Sequence, residues 1–223
     1  MKYMEILNFI KDLTENNNRE WFQENKPRYE VARKEFTELT EKLIRGIGEF
    51  DPEVRYLEPK ECMFRIYRDV RFSPDKSPYK RHFGTYIAKC GGHKSRYSGY
   101  YIHLEPGNCM VSGGIWCANS DEIKRMREMI DLEYEELREI MNKPEFVKYF
   151  HGEMVGFEPP LKKMPRGYTE DNPAAEWLKL KQFLVCHRFD DNVLERKDCV
   201  EYLCNVAHAM KDFSYWCNSA LEY

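Results

Sequence analysis

The chain has 223 residues, 42% of them hydrophobic, which is enough for one large domain with a substantial apolar core. Its 38 acidic residues outnumber its 35 basic ones, and the resulting net charge of -3 argues against a global electrostatic grip on nucleic acid. Any attraction for anions must therefore be local.

Ile6, Leu7, Ile10 and Leu13 recur at helical spacing near the start. Glu5, Lys11 and Asp12 interrupt what would have to be the apolar core of a signal sequence, and no long uncharged run follows, so the expectation is a cytoplasmic protein without a membrane span. Asn16 to Asn18 stop this helix and offer caps for a short one carrying Trp21 and Phe22. A longer helix can start at Asn25 with Pro27 in its first turn, and it carries Val31, Phe36, Leu39, Leu43 and Ile47 before Gly48 and Pro52 end it.

From Cys62 to Trp116 the period changes to two. Cys62 to Phe72 reads as one strand, and FGTYIAK, SGYYIHLE and CMVSGGIW read as three more, joined by a hairpin at Gly91-Gly92 and a tight turn at Pro106 to Asn108. Helix returns after Asn119, where Asn119 and Glu122 are spaced as a capping box and Ile123, Met126, Ile130, Leu137 and Ile140 share a face that Pro144 closes. His151 to Asn172 reads as a long ordered loop pinned by Met154, Phe157, Leu161 and Tyr168. A short helix from Pro173 leads to the strand QFLVCHRF, and a last helix from Asp191 or Asn192 turns Val200, Leu203, Ala207, Met210, Phe213 and Cys217 inward.

The expected fold class is α+β. An antiparallel sheet of four or five strands, from the middle of the chain plus a strand near 182–189, is packed by N-terminal, central and C-terminal helices, with residues 1–223 forming a single domain. Cys62, Cys90, Cys109, Cys117, Cys186, Cys199, Cys204 and Cys217 contain no CxxC pair and lie in apolar segments, which predicts reduced, mostly buried thiols. The histidines form no metal-ligand spacing with them, so no metal and no cofactor is expected.

The stretch FRIYRDVRFSPDKSPYK concentrates cations at Arg65, Arg68, Arg71, Lys76 and Lys80. In a strand, Arg65, Tyr67, Asp69 and Arg71 would share one face, and a bulge in RDVR would bring Arg68 round to join them. Two cations about 6 Å apart repel by roughly 3 kcal/mol at an effective dielectric near 20, so such a cluster calls for acids or a bound anion. Arginine's planar fork suits carboxylate or phosphate. The same alternation is also the ordinary composition of a solvated sheet face, and lysines in a Ser-Pro turn are ordinarily solvated.

In YYIHLE the same parity sets Tyr101, His103 and Glu105 in a second polar row, with His103 as a candidate general base and a structural histidine as its plainer reading. Gly113-Gly114 and Trp116 follow on a nearby strand, where glycines would let a ligand approach the backbone. If the rows share a face, the candidate ligand residues are Arg65, Arg68, Asp69, Arg71, Lys76, Lys80, Tyr101, His103, Glu105 and Trp116.

NNNREWF, FRIYRDVRFSPDKSPYK, GYYIHLEPG, GGIW and LKKMPRGY together resemble a widespread family of uncharacterised proteins from bacteria and fungi, catalogued as domain of unknown function 2461. The resemblance runs from near the N-terminus to QFLVCHRF. It implies a single intracellular domain and brings no reaction, cofactor or catalytic residue with it. Two readings follow. In the first, a small ligand bearing phosphate or carboxylate binds on the polar sheet face, and a hydrolase or transferase acting on that ligand is its enzymatic version. In the alternative, segment 64–80 and the aromatics Tyr67, Tyr79, Tyr101 and Trp116 contact a protein or nucleic acid, the overall charge weighing against the latter.

Overall fold

The structure is a computed structural model that describes residues 3–222. Helix α1 (Met4–Glu15) buries Ile6, Leu7, Phe9, Ile10 and Leu13 along one stripe. Asn18 caps α2 (Arg19–Glu24), its side-chain oxygen accepting from the Trp21 N–H at 2.9 Å. Helix α3 (Lys26–Gly48) begins with Pro27, whose missing N–H has no helical partner to lose. Ala32, Phe36, Leu39 and Leu43 form its buried stripe, whereas Val31 is 52% exposed. Val31 lies five residues before Phe36, about 140° round the helix, which places it outside the stripe.

After the short helix α4 (Pro59–Cys62), the expected strand from Cys62 to Phe72 does not form. Met63 makes an isolated bridge to Thr85 and Tyr67 another to Tyr79. The Phe64 N–H donates to the Gly84 carbonyl, but beyond this touch the Arg68 N–H donates to the Pro78 carbonyl and the Lys80 N–H to that of Ile66, so the rest of the segment folds back on itself. Pro74 and Pro78 withdraw two donors from the returning arm, which keeps that pairing from growing into a ladder. Ile66 is buried, but Phe72, which strand parity would set on the same face, is 95% exposed.

Strands β1 (Phe83–Ile87), β2 (Tyr100–Leu104), β3 (Cys109–Ile115) and β4 (Phe183–Phe189) make one antiparallel sheet in that order. Strands β2 and β3 are joined by the expected tight turn, in which the Asn108 N–H donates to the Glu105 carbonyl at 2.9 Å and Gly107 sits at φ 71° behind Pro106. The β1–β2 connection is longer than a Gly91-Gly92 hairpin and contains a 3-10 turn at Gly92–Lys94. Its far end is held from a distance: the Ser98 N–H donates to the Asn218 side chain at 2.7 Å, Asn218 donates back to the Ser98 carbonyl, and the Gly114 N–H donates to the Ser98 hydroxyl at 3.0 Å.

The capping box forms on α5 (Ser120–Leu132), but the expected long helix breaks at Glu133 into α5 and α6 (Tyr134–Met141), and Pro144 opens α7 (Pro144–Phe150). The ordered loop follows, with Met154 buried and Val155 bridging to Leu184 beside the outer strand β4. Helix α8 (Ala175–Leu178) precedes β4, and the expected last helix divides into a 3-10 turn at Asp191–Glu195, α9 (Cys199–Ala209) and α10 (Lys211–Glu222). Helices α9 and α10 pack on β3, and α3 packs on α9. Buried Asp51 accepts from the Tyr100 and Tyr215 hydroxyls, both at 3.0 Å, joining the region after α3 to β2 and α10.

One cluster of buried apolar side chains runs from Tyr3 to Leu221. All eight cysteines are free thiols; Cys62, Cys109, Cys199 and Cys217 are buried, while Cys90 and Cys117 are exposed. No described helix is long and apolar enough to cross a membrane.

Candidate ligand site

Strand β2 separates its side chains cleanly. Tyr100, Ile102 and Leu104 point into the core with almost no exposure, and Tyr101, His103 and Glu105 stand on the other face. These three are linked: the Tyr101 hydroxyl lies 2.9 Å from His103 Nδ1, and His103 Nε2 lies 3.2 Å from Glu105 Oε2. A carboxylate can only accept, so Nε2 carries the proton, and Nδ1 accepts from the Tyr101 phenol. The chain continues outward, because Asn108 donates to Glu105 Oε2 at 2.6 Å and Arg188 donates to the Asn108 side-chain oxygen.

Burial lowers the His103 pKa below its ordinary value, against the opposing pull of Glu105, so the imidazole is neutral at neutral pH. Burial and the Glu105 charge push the Tyr101 phenol well above the usual tyrosine range. For Glu105, burial works toward a higher pKa, but the hydrogen bonds from Asn108 and His103 outweigh it and hold the carboxyl low. His82, from the approach to β1, packs against His103 with ring centroids 4.2 Å apart and the rings tilted by 30°. Burial, then the neighbouring His103 and Lys80, bring its pKa down to about 4.

Tyr101 opens onto a cavity of about 490 Å³, a size suited to a small organic molecule. Tyr86, Tyr101, Ser112 and Gly114 form the sheet side of it. These positions adjoin because Tyr86 pairs with Tyr101 and Tyr101 with Ser112 in the strand register. Phe64, Lys80 and His82 make one wall, His93, Ser95, Arg96 and Tyr97 of the β1–β2 connection make another, and Trp116 and Cys117 complete the lining. The Tyr86 hydroxyl donates to the Tyr97 carbonyl at 2.7 Å and so ties floor to wall. Trp116 packs on Phe157 of the long loop with centroids 5.2 Å apart.

Two cations line the cavity, and their circumstances differ. Arg96 pairs with Glu122, the buried carboxylate that also closes the α5 capping box. Lys80 is half-buried, and its ammonium stands 5.1 Å from the Phe64 ring centroid with no acidic partner among the described residues. Burial, and then the charge of Arg65, lower its pKa.

The other expected cations serve their own loop. Arg68 donates to Asp75 at 2.6 Å, to the Ser77 carbonyl at 3.1 Å and to the Ser73 hydroxyl at 3.3 Å. Arg71 pairs with Asp69 at 2.6 Å, and Lys76 donates to the Val70 carbonyl at 3.0 Å. Arg65 is exposed beside Lys80. Of the residues singled out from the sequence, Lys80, Tyr101 and Trp116 therefore meet at the cavity, with His103 and Glu105 directly behind Tyr101. The Arg65/Arg71 row and the Tyr101 row do not share a sheet face, because segment 64–72 is not a strand.

Sequence reasoning missed His82, Tyr86, His93, Ser95, Arg96 and Tyr97 as site residues. The β1–β2 register would have found Tyr86, which lies opposite Tyr101. Nothing in a presumed Gly91-Gly92 hairpin pointed to the wall at 93–97.

Residues 5–216 match the family described as Conserved hypothetical protein (DUF2461). The chain belongs to the DUF2461 family. No curated protein and no solved structure matches it. Two of the segments that carry the DUF2461 resemblance touch in the fold: Asn17 of NNNREWF exchanges hydrogen bonds of 3.0 and 3.1 Å with the backbone of Tyr79 in SPYK, and Phe22 stacks on the Tyr79 ring with centroids 4.0 Å apart.

Proposed function

We propose that this DUF2461 chain binds a small organic anion in the cavity, with the anionic group at Lys80 and the body of the ligand against Phe64, Tyr97 and Trp116. The observation that carries this reading is the half-buried Lys80 ammonium, which lines the cavity without an acidic partner among the described residues. A cation withdrawn from water and left unpaired gains more from a bound carboxylate or phosphate than a solvated surface lysine would. The eight free thiols fit work on a metabolite in the cytoplasm, where thiols remain reduced.

The test is a thermal-shift screen of wild type and Lys80→Met against phosphate, nucleotides, sugar phosphates and small carboxylates. A ligand at 100 times its Kd adds about 2.7 kcal/mol of stability to wild type. That gain should disappear in Lys80→Met. An equal gain in the variant, or none in wild type across the panel, overturns the reading.

One observation favours a second reading. Phe72 projects almost fully into solvent at the tip of the basic loop, next to Arg71 and on the same segment as the exposed Tyr67, an arrangement suited to docking a partner protein. Under this reading Phe72→Ser abolishes partner capture and leaves the thermal shifts unchanged.

A further inference from the structure

We propose that Tyr101, His103 and Glu105 form a base relay that removes a proton from the ligand, and that the ligand is a planar acid carrying a hydroxyl group. This deepens the reading of the cavity as an anion site and depends on it. The polarity of the chain sets the direction of transfer. Glu105 fixes the His103 proton on Nε2, so the Nδ1 lone pair faces Tyr101, and the phenol spends its own proton on that nitrogen. The phenol oxygen is left to accept a hydrogen bond from a ligand in the cavity that Tyr101 lines.

The transfer balances without a co-reactant. The ligand O–H bond breaks and its proton goes to Tyr101 Oη, while the Tyr101 proton moves to His103 Nδ1. The products are a ligand oxyanion and an imidazolium held against the Glu105 carboxylate. Asn108, itself held by Arg188, positions that carboxylate. The charged and titratable groups facing the relay from other elements are His82, packed against His103, Lys80 on the cavity wall, and Arg188 behind Asn108. The planar class follows from the rings around the cavity: Phe64, Tyr86, Tyr97 and Trp116 offer faces and edges to a flat body, and Lys80 takes its acid group.

The probe is 4-hydroxy-3-nitrobenzoate, a planar hydroxy acid whose visible absorbance reports loss of its phenolic proton. Bound to wild type, its ionisation midpoint should fall by about one pH unit or more relative to the free compound, as expected when a neighbouring base and cation favour the anion. Tyr101→Phe and His103→Gln should still bind it, less than about tenfold more weakly for the loss of one hydrogen bond. In both variants the midpoint should return toward that of the free compound. Lys80→Met should lose the binding itself.

A full midpoint shift that persists in both relay variants overturns the relay and assigns the shift to the Lys80 charge. Binding to wild type with no shift also overturns the relay while leaving the anion site standing. No binding to wild type at millimolar concentration overturns the anion site and the relay together. Two variants at different links of the chain guard against the loss of one through misfolding, and thermal melts of each confirm the fold.

Discussion

The loop Arg68–Lys80 and the row Tyr101, His103, Glu105 hold similar kinds of residue and use them in opposite ways. Up to Lys76 the charges of the loop are answered within a few residues, Arg68 by Asp75, Arg71 by Asp69 and Lys76 by a backbone carbonyl, and Lys80 at its end is the exception that turns to the cavity. In the row the polar groups are linked in a line through the buried His103 and end at a cavity. A dense run of cations marks a segment that has to hold itself in shape, whereas three polar side chains at every second position of a half-buried strand mark the place where a ligand would feel them. The burial of His103, which strengthens the action of a proton or charge on its neighbours, has no counterpart among the ion pairs of the loop tip.

Substitutions and pH should separate the two regions too. The largest expected effect is at the cavity floor. Gly114 has φ 111°, and a Cβ there would stand 2.1 Å from the Phe183 carbonyl oxygen. Gly114→Ala should cost more than about 3 kcal/mol, a fall in Tm of roughly 6–12 °C for a chain of this size. A Tm within 2 °C of wild type would show that the floor can yield, by roughly the amount the loop can.

Acid comes next. His82 is neutral in the fold with a pKa near 4, against an ordinary value of 6.5, and burial shifts His103 in the same direction. The unfolded chain binds more protons between those values, so this contribution is complete above pH 6.5 and is lost as pH falls toward 4. It amounts to about 3 kcal/mol at most for His82. The loop behaves otherwise: Ser77 and Arg68 hold Asp75 well below the usual carboxylate range, so its contribution is present above the ordinary aspartate pKa and lost only in stronger acid. Urea midpoints at pH 7 and pH 4.5 should fall for wild type and fall less for His82→Gln; equal falls would erase the distinction.

Smaller still is Arg68→Ala. It removes three hydrogen bonds from a side chain that is 25% exposed. The expected cost is about 1 kcal/mol, or roughly 2–4 °C, with faster proteolytic nicking at Arg71 and Lys76. Binding of anions at Lys80 should survive. Last, Arg71→Ala should leave Tm unchanged, since its pair with Asp69 is open to solvent. A clear loss in that variant would mean the loop tip is braced against something besides itself.

Much of the fold was legible because period and capping are local. The α1 stripe, Pro27 at the start of α3, the Asn119/Glu122 box, the turn at Pro106 to Asn108 and the strands around YYIHLE all depend on residues within a few positions of one another. The β2 parity also placed Tyr101, His103 and Glu105 together. Their joining into a directed chain depends on the rotamers that packing imposes, which a pattern does not encode. Segment 62–72 was misread because FRIYRDV has the alternation of a strand, while only Met63 and Phe64 touch β1 and the rest pairs with the Pro-containing arm at 78–80. Most of the remaining cavity wall was invisible for a related reason, since His93, Arg96 and Tyr97 reach it through a connection whose length was underestimated.

The hydrogen bonds between Ser98 and Asn218 join positions 120 residues apart, and Tyr215 reaches Asp51 across 164. Closing contacts of such range costs chain entropy that local turns do not, so the β1–β2 connection, with the cavity wall it carries, depends for its anchorage on the far end of the chain. The clasp between Ser98 and Asn218 therefore makes the shape of the cavity wall depend on the last helix of the chain.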